Sequence, residues 1–320
     1  MRWDFHGVVI GGQTNDEMIR ERWVASFAAR PVSQLPPTLH FNLNLVSAVP
    51  PPPPTQPQFR QTDLLEYYLD SANLMIAHFP RYGQLRLDLD NGTTHGEIIS
   101  SALTTYGVFE DLVAIGLSPH LRRRGMFLLH AFAAVAPLSH GQKGVLIVGQ
   151  IGSGKTTTGM ALLEAGWKLL SNDSPIISAE GEILSYPGLI AAYPNTLNRF
   201  ISTQHVAPLN AYANQKVTFR AEGIWPGVWV ERARPAAIFF PQIESRADHL
   251  LEPLAQPEAL RLILPHAIEQ WDREMIPTHL ALLKRLVETA TAFRLRLGPD
   301  MSALPDVVAA KAISKEPNLC

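Results

Sequence analysis

Apolar and polar residues alternate over residues 39–45, where Leu39, Phe41, Leu43 and Leu45 are separated by His40, Asn42 and Asn44. A period of two is that of a strand with one face buried. Leu85, Leu87 and Leu89 repeat the pattern, and Asn91-Gly92 behind them predicts a hairpin turn, because both residues tolerate the positive φ such turns need. Five consecutive prolines at 50–54 lie between these strands. Such a run is extended and packs poorly, which predicts a loop or spacer.

The character of the chain changes near residue 119. Residues 121–135 suit a helix, or a helix running into a strand. Gly144-Val-Leu-Ile-Val148 is a short β-branched run closed by glycine, the pattern of a buried strand. Residues 156–165 predict a helix with Met160 and Leu163 on one face, and Gly166 is placed to end it in a left-handed conformation. Residues 167–170 predict a second short strand that ends at Ser171-Asn172-Asp173-Ser174. Two apolar pairs, Ile176-Ile177 and Ile183-Leu184, flank Ala179-Glu180-Gly181, a hairpin signal rather than a crossover. Residues 236–240 predict another buried strand, and Pro257 a helix reaching about Trp271. Leu280, Leu283, Val287 and Ala290 share one helix face, and Phe293, Leu295 and Leu297 alternate with Arg294 and Arg296 as a late strand. No internal repeat is visible. The fold class this implies is α/β with a mixed, α+β-like sheet. An N-terminal α/β region over 1–118, with its Pro-rich loop at 50–58, precedes a second domain over 119–320.

Composition narrows the partners. With 46% of 320 residues hydrophobic, a sizeable core can form, and a net charge of -2 offers no basic face for nucleic acid. Arg122-Arg123-Arg124 is the densest basic cluster and reads as a solvated helix end. The single cysteine, Cys320, excludes a disulfide within the chain and fits a reducing compartment. The first residues lack the long apolar run of a secretory signal. The longest apolar stretch, 126–138, contains His130 and is shorter than a bilayer span. The expectation is a soluble cytoplasmic protein with neither nucleic acid nor membrane as partner; a homo-oligomer is compatible with it.

The chemistry concentrates at Gly149-Gln150-Ile151-Gly152-Ser153-Gly154-Lys155-Thr156, which satisfies G-x-x-x-x-G-K-[ST]. Glycines let such a loop wrap closely, so that backbone N–H groups point at phosphate oxygens. The helix behind it adds unpaired N–H groups and its dipole. Lys155 brings a positive charge to the β- and γ-phosphates, the Thr156 hydroxyl can ligate Mg²⁺, and Thr157 follows in the same first turn. The spacing therefore predicts ATP with Mg²⁺ as cofactors. Many proteins with this loop place a carboxylate at the end of a distant apolar strand. Here residues 236–240 run into Pro241-Gln242, and no guanine-reading N-K-x-D occurs, which argues against transporter-type ATPases and GTPases. Asp173, at the end of the strand after the loop helix, would lie beside the loop if that strand pairs parallel with its predecessor. It could hold Mg²⁺ or accept a proton from an attacking hydroxyl; the alternative is an ordinary turn aspartate. Arg199, Lys216, Arg220 and Arg232 are candidate phosphate clamps or plain surface bases.

The stretch from Leu129 to Asp173 resembles the HPr kinase/phosphorylase family and its smaller relatives. The resemblance rests on His130 in an apolar segment, the strand at 145–148, the loop, Ala165-Gly166 and Leu170-Ser171-Asn172-Asp173, with weaker likeness at Tyr186-Pro187-Gly188, Lys216-Val-Thr-Phe219 and the terminal strands. It covers about 45 residues clearly, fades toward residue 300, and leaves residues 1 to about 115 unmatched. It implies a P-loop kinase core of the HPr kinase/PEP carboxykinase type. Asp173 would be the base that activates a serine hydroxyl, His130 a second catalytic residue, Lys216 a phosphate-binding residue, and Asn172 with Thr156 and Asp173 the metal set. Asn172 stands where the family has an aspartate, and the family's Glu-Ile-Arg-Gly segment is absent. A phosphotransferase acting on a hydroxyl of a protein, peptide or small molecule is one expectation, and a non-catalytic nucleotide-binding module is the other. A carboxykinase-like enzyme is a third, without a metal-ligating His/Lys set to support it.

Overall fold

The computed structural model describes residues 1–61, 63–71, 73–137, 142–200, 210–211, 216–267 and 269–312. The chain divides into two compact units, Met1–Gly125 with Glu269–Pro277, and Met126–Ile268 with Thr278–Cys320. Residues 119–125 thus stay with the first unit, as does a segment from much later in the chain. No helix among the described residues is long and apolar enough to cross a membrane. Cys320 and residues 313–319 lie outside the described residues.

The first unit is an eight-stranded mixed sheet. Strands β1 (Arg2–Phe5) and β2 (Val8–Gln13) form a hairpin, helix α1 (Glu17–Phe27) crosses over, and β3 (Leu39–Leu45) lies parallel to β2. Asp16 starts α1 by accepting the Ile19 N–H at 3.0 Å, satisfying one of the helix's free first-turn donors. Strands β4 (Phe59–Gln61), β5 (Leu65–Leu69), β6 (Leu74–Phe79), β7 (Gly83–Asp88) and β8 (Thr93–Ile98) form an antiparallel meander, and β8 pairs parallel with β3. The order is β1-β2-β3-β8-β7-β6-β5-β4. The residues between β3 and β4 therefore pass over four intervening strands. Pro53, Pro54, Thr55 and Gln58 in this strap form a groove with Tyr68, Ile76, Arg86 and His95 on the sheet face. The other face carries the core, where Trp23 of α1 meets Phe41 edge-on at 5.4 Å. Helices α2 (Ser100–Thr104) and α3 (Val108–Arg122) complete the unit, with Gly116 of α3 set against the Phe41 ring.

The end of α3 corrects the reading of Arg122 as solvated. Arg122 is 3% exposed, and its Nε donates to Asp272 Oδ2 at 2.8 Å. Arg123 donates to both oxygens of the same carboxylate, at 3.0 and 3.2 Å. Trp271, next to Asp272, stacks on Tyr67 with centroids 4.9 Å apart and lies under the Arg122 guanidinium. Of the three arginines, only Arg124 is exposed.

The second unit carries the loop. Strands β9 (Met126–Leu128), β10 (Ala131–Val135) and β11 (Lys143–Val148) precede helix α4 (Lys155–Glu164); β12 (Lys168–Ser171), β13 (Ile176–Ser178), β14 (Ile183–Leu184) and β15 (Ile190–Ala192) follow. After helix α5 (Pro194–Phe200) come β16 (Asn210–Ala211), β17 (Val217–Phe219), β18 (Arg232–Ile243) and β19 (Leu250–Pro253). Helices α6 (Gln256–Ile263) and α7 (Ile276–Thr289), strand β20 (Thr291–Leu297) and helix α8 (Leu304–Ala312) complete the chain. The main sheet runs β12-β10-β11-β18-β14-β13-β9, with β20 also along β18 and β19 along β20. β11, β18 and β20 are parallel, and β10 is antiparallel to both β11 and β12. The sheet is mixed, as the hairpin at β13–β14 implied. Apolar residues of β10, β11, β18 and β20 pack against Met160, Leu162 and Leu163 of α4. Helix α6 is shorter than its sequence suggests: a single 3₁₀ turn over Leu264–His266 follows Ile263, because Pro265 brings no N–H to the helix ladder.

Candidate functional site

β11 ends at Val148, residues 149–154 turn, and α4 begins at Lys155. The turn is possible because Gly152 and Gly154 adopt φ of 83° and 104°, a region costly for any residue with a Cβ. Gly154 is the N-cap of α4 and offers no side-chain hydrogen bond, so the first-turn N–H groups of the helix have no capping side chain. Gln150 and Ile151 form the exposed tip, with Ile151 84% exposed. Ser153 folds inward, and its buried hydroxyl has no partner. Thr156 and Thr157 stand half-buried on the first turn of α4.

Lys155 is 8% exposed, and its Nζ donates to the carbonyls of Gly149 and, at 3.2 Å, of Gln150. The loop thus bends around its own lysine. Burial holds the Lys155 ammonium below its ordinary pKa; Asp173 opposes that shift and Lys216 adds to it. Both charges therefore lie within electrostatic reach of the loop lysine. Lys216 also places its Nζ 5.5 Å from the centre of the Tyr193 ring.

Asp173 reaches this place by a different route from the one its sequence position suggests. β12 is not the neighbour of β11, since β10 lies between them. Two antiparallel pairings leave β12 running in the same direction as β11, so its end is still on the loop's side of the sheet. Ser171 shapes the following turn by accepting the N–H groups of Asp173 and Ser174, at 3.4 and 3.0 Å. Asp173 Oδ1 stands 3.3 Å from His130 Nδ1, with the two side chains 55% and 40% exposed. Asn172 points elsewhere: its amide donates to the Leu189 carbonyl at 2.9 Å.

His266 joins this group without any signal in the sequence. It lies in the 3₁₀ turn after α6, its carbonyl accepts the His130 N–H at 2.8 Å, and the two rings lie nearly parallel with centroids 6.0 Å apart. Burial, then the nearby His130 and Lys155 charges, push its pKa down to about 4. The strand order and the turn after α6 together bring residues 130, 155, 173 and 266 to one end of the sheet.

The remaining candidates lie apart from the lysine. Arg232 pairs with Glu182 at 3.4 Å, and Arg199 and Arg220 are exposed without a hydrogen bond or ion pair to the loop. The apolar strand that seemed to end at Pro241-Gln242 continues to Ile243, and an acid, Glu244, follows at once. That carboxylate pairs with Arg296, and more loosely with Arg246 at 3.8 Å. Among the described residues no group of three or more His, Cys, Asp or Glu converges to hold a metal without a ligand's help.

No protein-family model matches this chain, and no curated protein matches it. Among solved structures, one match is the Hpr(Ser) kinase/phosphatase from Coxiella burnetii, 10% identical, with 57% of this chain and 91% of that chain covered and a TM-score of 0.25. A TM-score of that size does not establish a shared fold, and what the chain does has to be read from its own residues.

Proposed function

We propose that this chain is an ATP-dependent phosphotransferase that delivers the γ-phosphate to a hydroxyl of a protein, a peptide or a small molecule. The observation that carries the reading is the meeting of Lys155, Asp173 and His130 at the uncapped start of α4. Donors at a helix N-terminus and a buried ammonium suit a polyphosphate, and a half-exposed carboxylate beside them suits an incoming alcohol. In the reaction the hydroxyl gives its proton to Asp173. Its oxygen bonds to the γ-phosphorus as the bond to the β–γ bridging oxygen breaks, and ADP leaves. Lys155 neutralises charge on the phosphates, and His130 steadies the Asp173 carboxylate. The oxygens of Thr156 and Asp173 would hold Mg²⁺, which takes one or two protein oxygens with phosphates and water and when bound would neutralise phosphate charge; Asn172, its amide turned to Leu189, could join only by its carbonyl oxygen after a rotation. Asn172 commits only its NH₂ to Leu189, so its carbonyl oxygen is uncommitted.

Labelled ATP with candidate acceptors tests this. Lys155→Ala should lose nucleotide binding, whereas Asp173→Asn should bind ATP within a few-fold of wild type and transfer nothing. Full transfer by Asp173→Asn would refute the assigned base, and a wild-type chain that ignores MgATP would refute the whole reading. One observation favours a second reading, a nucleotide-binding module without turnover: the residue beside Asp173 is a neutral amide already tied to the backbone. Binding without transfer or hydrolysis would select it.

A further inference from the structure

His130 sits at a bend in the short link between β9 and β10, where successive N–H groups point to opposite sides. Leu129 donates to the Pro175 carbonyl at 3.0 Å and Ala131 to the Asp173 carbonyl at 2.9 Å, while His130 between them donates the other way, to His266 at 2.8 Å. The Asp173 turn thus holds one flank of this link and the His266 turn the other. The side chains repeat the arrangement, with Asp173 Oδ1 at 3.3 Å from Nδ1 and the His266 ring lying along the imidazole at 22°.

We infer that His266 is a positioning residue of this site, acting through His130: its ring is the wall that keeps the His130 imidazole turned with Nδ1 toward Asp173. The inference rests on the phosphotransferase reading only in taking Asp173, the carboxylate that His130 steadies, as the base there. A half-turn of an imidazole about Cβ–Cγ puts Cδ2 where Nδ1 stood and Cε1 where Nε2 stood, which breaks the contact to Asp173, and a 40%-exposed ring has room to make it. A carboxylate at Nδ1 favours the proton on that nitrogen and leaves the Nε2 lone pair open, provided the ring does not turn. A flat neighbour on the ring's flank opposes the turn. His266 can take that place because burial first, and the Lys155 charge with it, hold the ring uncharged near neutral pH.

The test needs no acceptor. In the full ¹⁵N-labelled chain at pH 7.5, long-range ¹H–¹⁵N spectra report which nitrogen of His130 carries the proton, with His130→Gln used only to assign the signals. Wild type should hold the proton mainly on Nδ1. In His266→Ala and His266→Leu the ratio of Nδ1–H to Nε2–H should fall by roughly fivefold, the scale of losing one hydrogen bond to Asp173. His266→Phe, which keeps a flat ring, should stay within about twofold of wild type. Leu fills the space should Ala leave a cavity that unfolds the chain. A wild-type ratio in the Leu or Ala variant overturns the assignment, and so does a Phe variant that behaves like Leu. MgATP titration by calorimetry is run alongside. Absence of binding would refute the phosphotransferase reading without touching the tautomer ratio, so the two failures are distinguishable.

Discussion

Asp272→Ala should destabilise the first unit by about 3–5 kcal/mol, the usual cost of removing one partner from a buried ion pair. The structure sets the case. Asp272 and Arg122 are each about 3% exposed at the side chain, and Arg123 is 16% exposed on the same carboxylate. Without Asp272, Arg122 keeps a 3.3 Å contact to the Ser118 hydroxyl and the face of Trp271, neither of which neutralises its charge. One Arg122 nitrogen is already buried without a partner. Most of the loss is thus the stranded guanidinium rather than the bond itself. That distinction can be measured: Arg122→Met combined with Asp272→Leu removes both charges and should return to within about 1–2 kcal/mol of wild type. Urea unfolding followed by circular dichroism gives the free energies. Hydrogen exchange across 269–277 shows whether the turn closed by Met275 N–H on the Asp272 carbonyl loosens first. A loss below about 1 kcal/mol in the single variant, or a double variant as unstable as the single, would refute the reasoning.

Three further outcomes follow from the described contacts. His120 is 1% exposed and bonded to Thr94, and burial together with Arg124 and Arg123 pushes its pKa to about 4. The unfolded chain then binds the extra proton between about pH 6.5 and 4, so the term favours folding above that window and is lost as pH falls through it. It should cost up to about 3 kcal/mol by pH 4, and His120→Gln should flatten that part of the stability–pH curve relative to wild type. Gly159→Ala should destabilise by about 1–3 kcal/mol despite alanine's helix preference, because the new Cβ would come closer than 3.0 Å to the Phe132 ring; a thermal melt more stable than wild type would contradict this. Asn172→Asp should cost about 1–3 kcal/mol in urea, since the Leu189 carbonyl would lose its donor and face a carboxylate; an unchanged midpoint would mean that the turn moves to relieve it.

What the sequence discloses depends on how far its signals reach along the chain. The strand, loop and helix around Lys155 are legible because β11, the glycines and the apolar face of α4 are contiguous. The strands at β3, β7 and β20 are legible from alternation alone. Strand order is not local. Nothing near residue 170 says that β10 inserts between β11 and β12, so the neighbour relation expected for Asp173 is wrong although its side of the sheet is right. Arg122 reads as a surface base because its partner lies 150 residues away. His266 is invisible for the same reason, as a lone histidine in a turn whose only link to His130 is spatial. Pro265 is different: it is a stop signal plainly present in the sequence, and it outweighs the helix pattern begun at Pro257.

The proline strap of the first unit has a consequence in length. Crossing from β3 to β4 spans five strand spacings, about 24 Å at about 4.8 Å each. Residues 46–58, fully extended in polyproline form at about 3.1 Å each, would reach about 40 Å. The strap is therefore long for its span and stiff for its length. Slack of that kind lets it arch over Tyr68, Ile76 and Arg86 instead of lying flat on them, and the arch leaves a groove of about 560 Å³ beneath it. Deleting three or four residues from the strap would leave it long enough to connect the strands, and the groove is what would disappear.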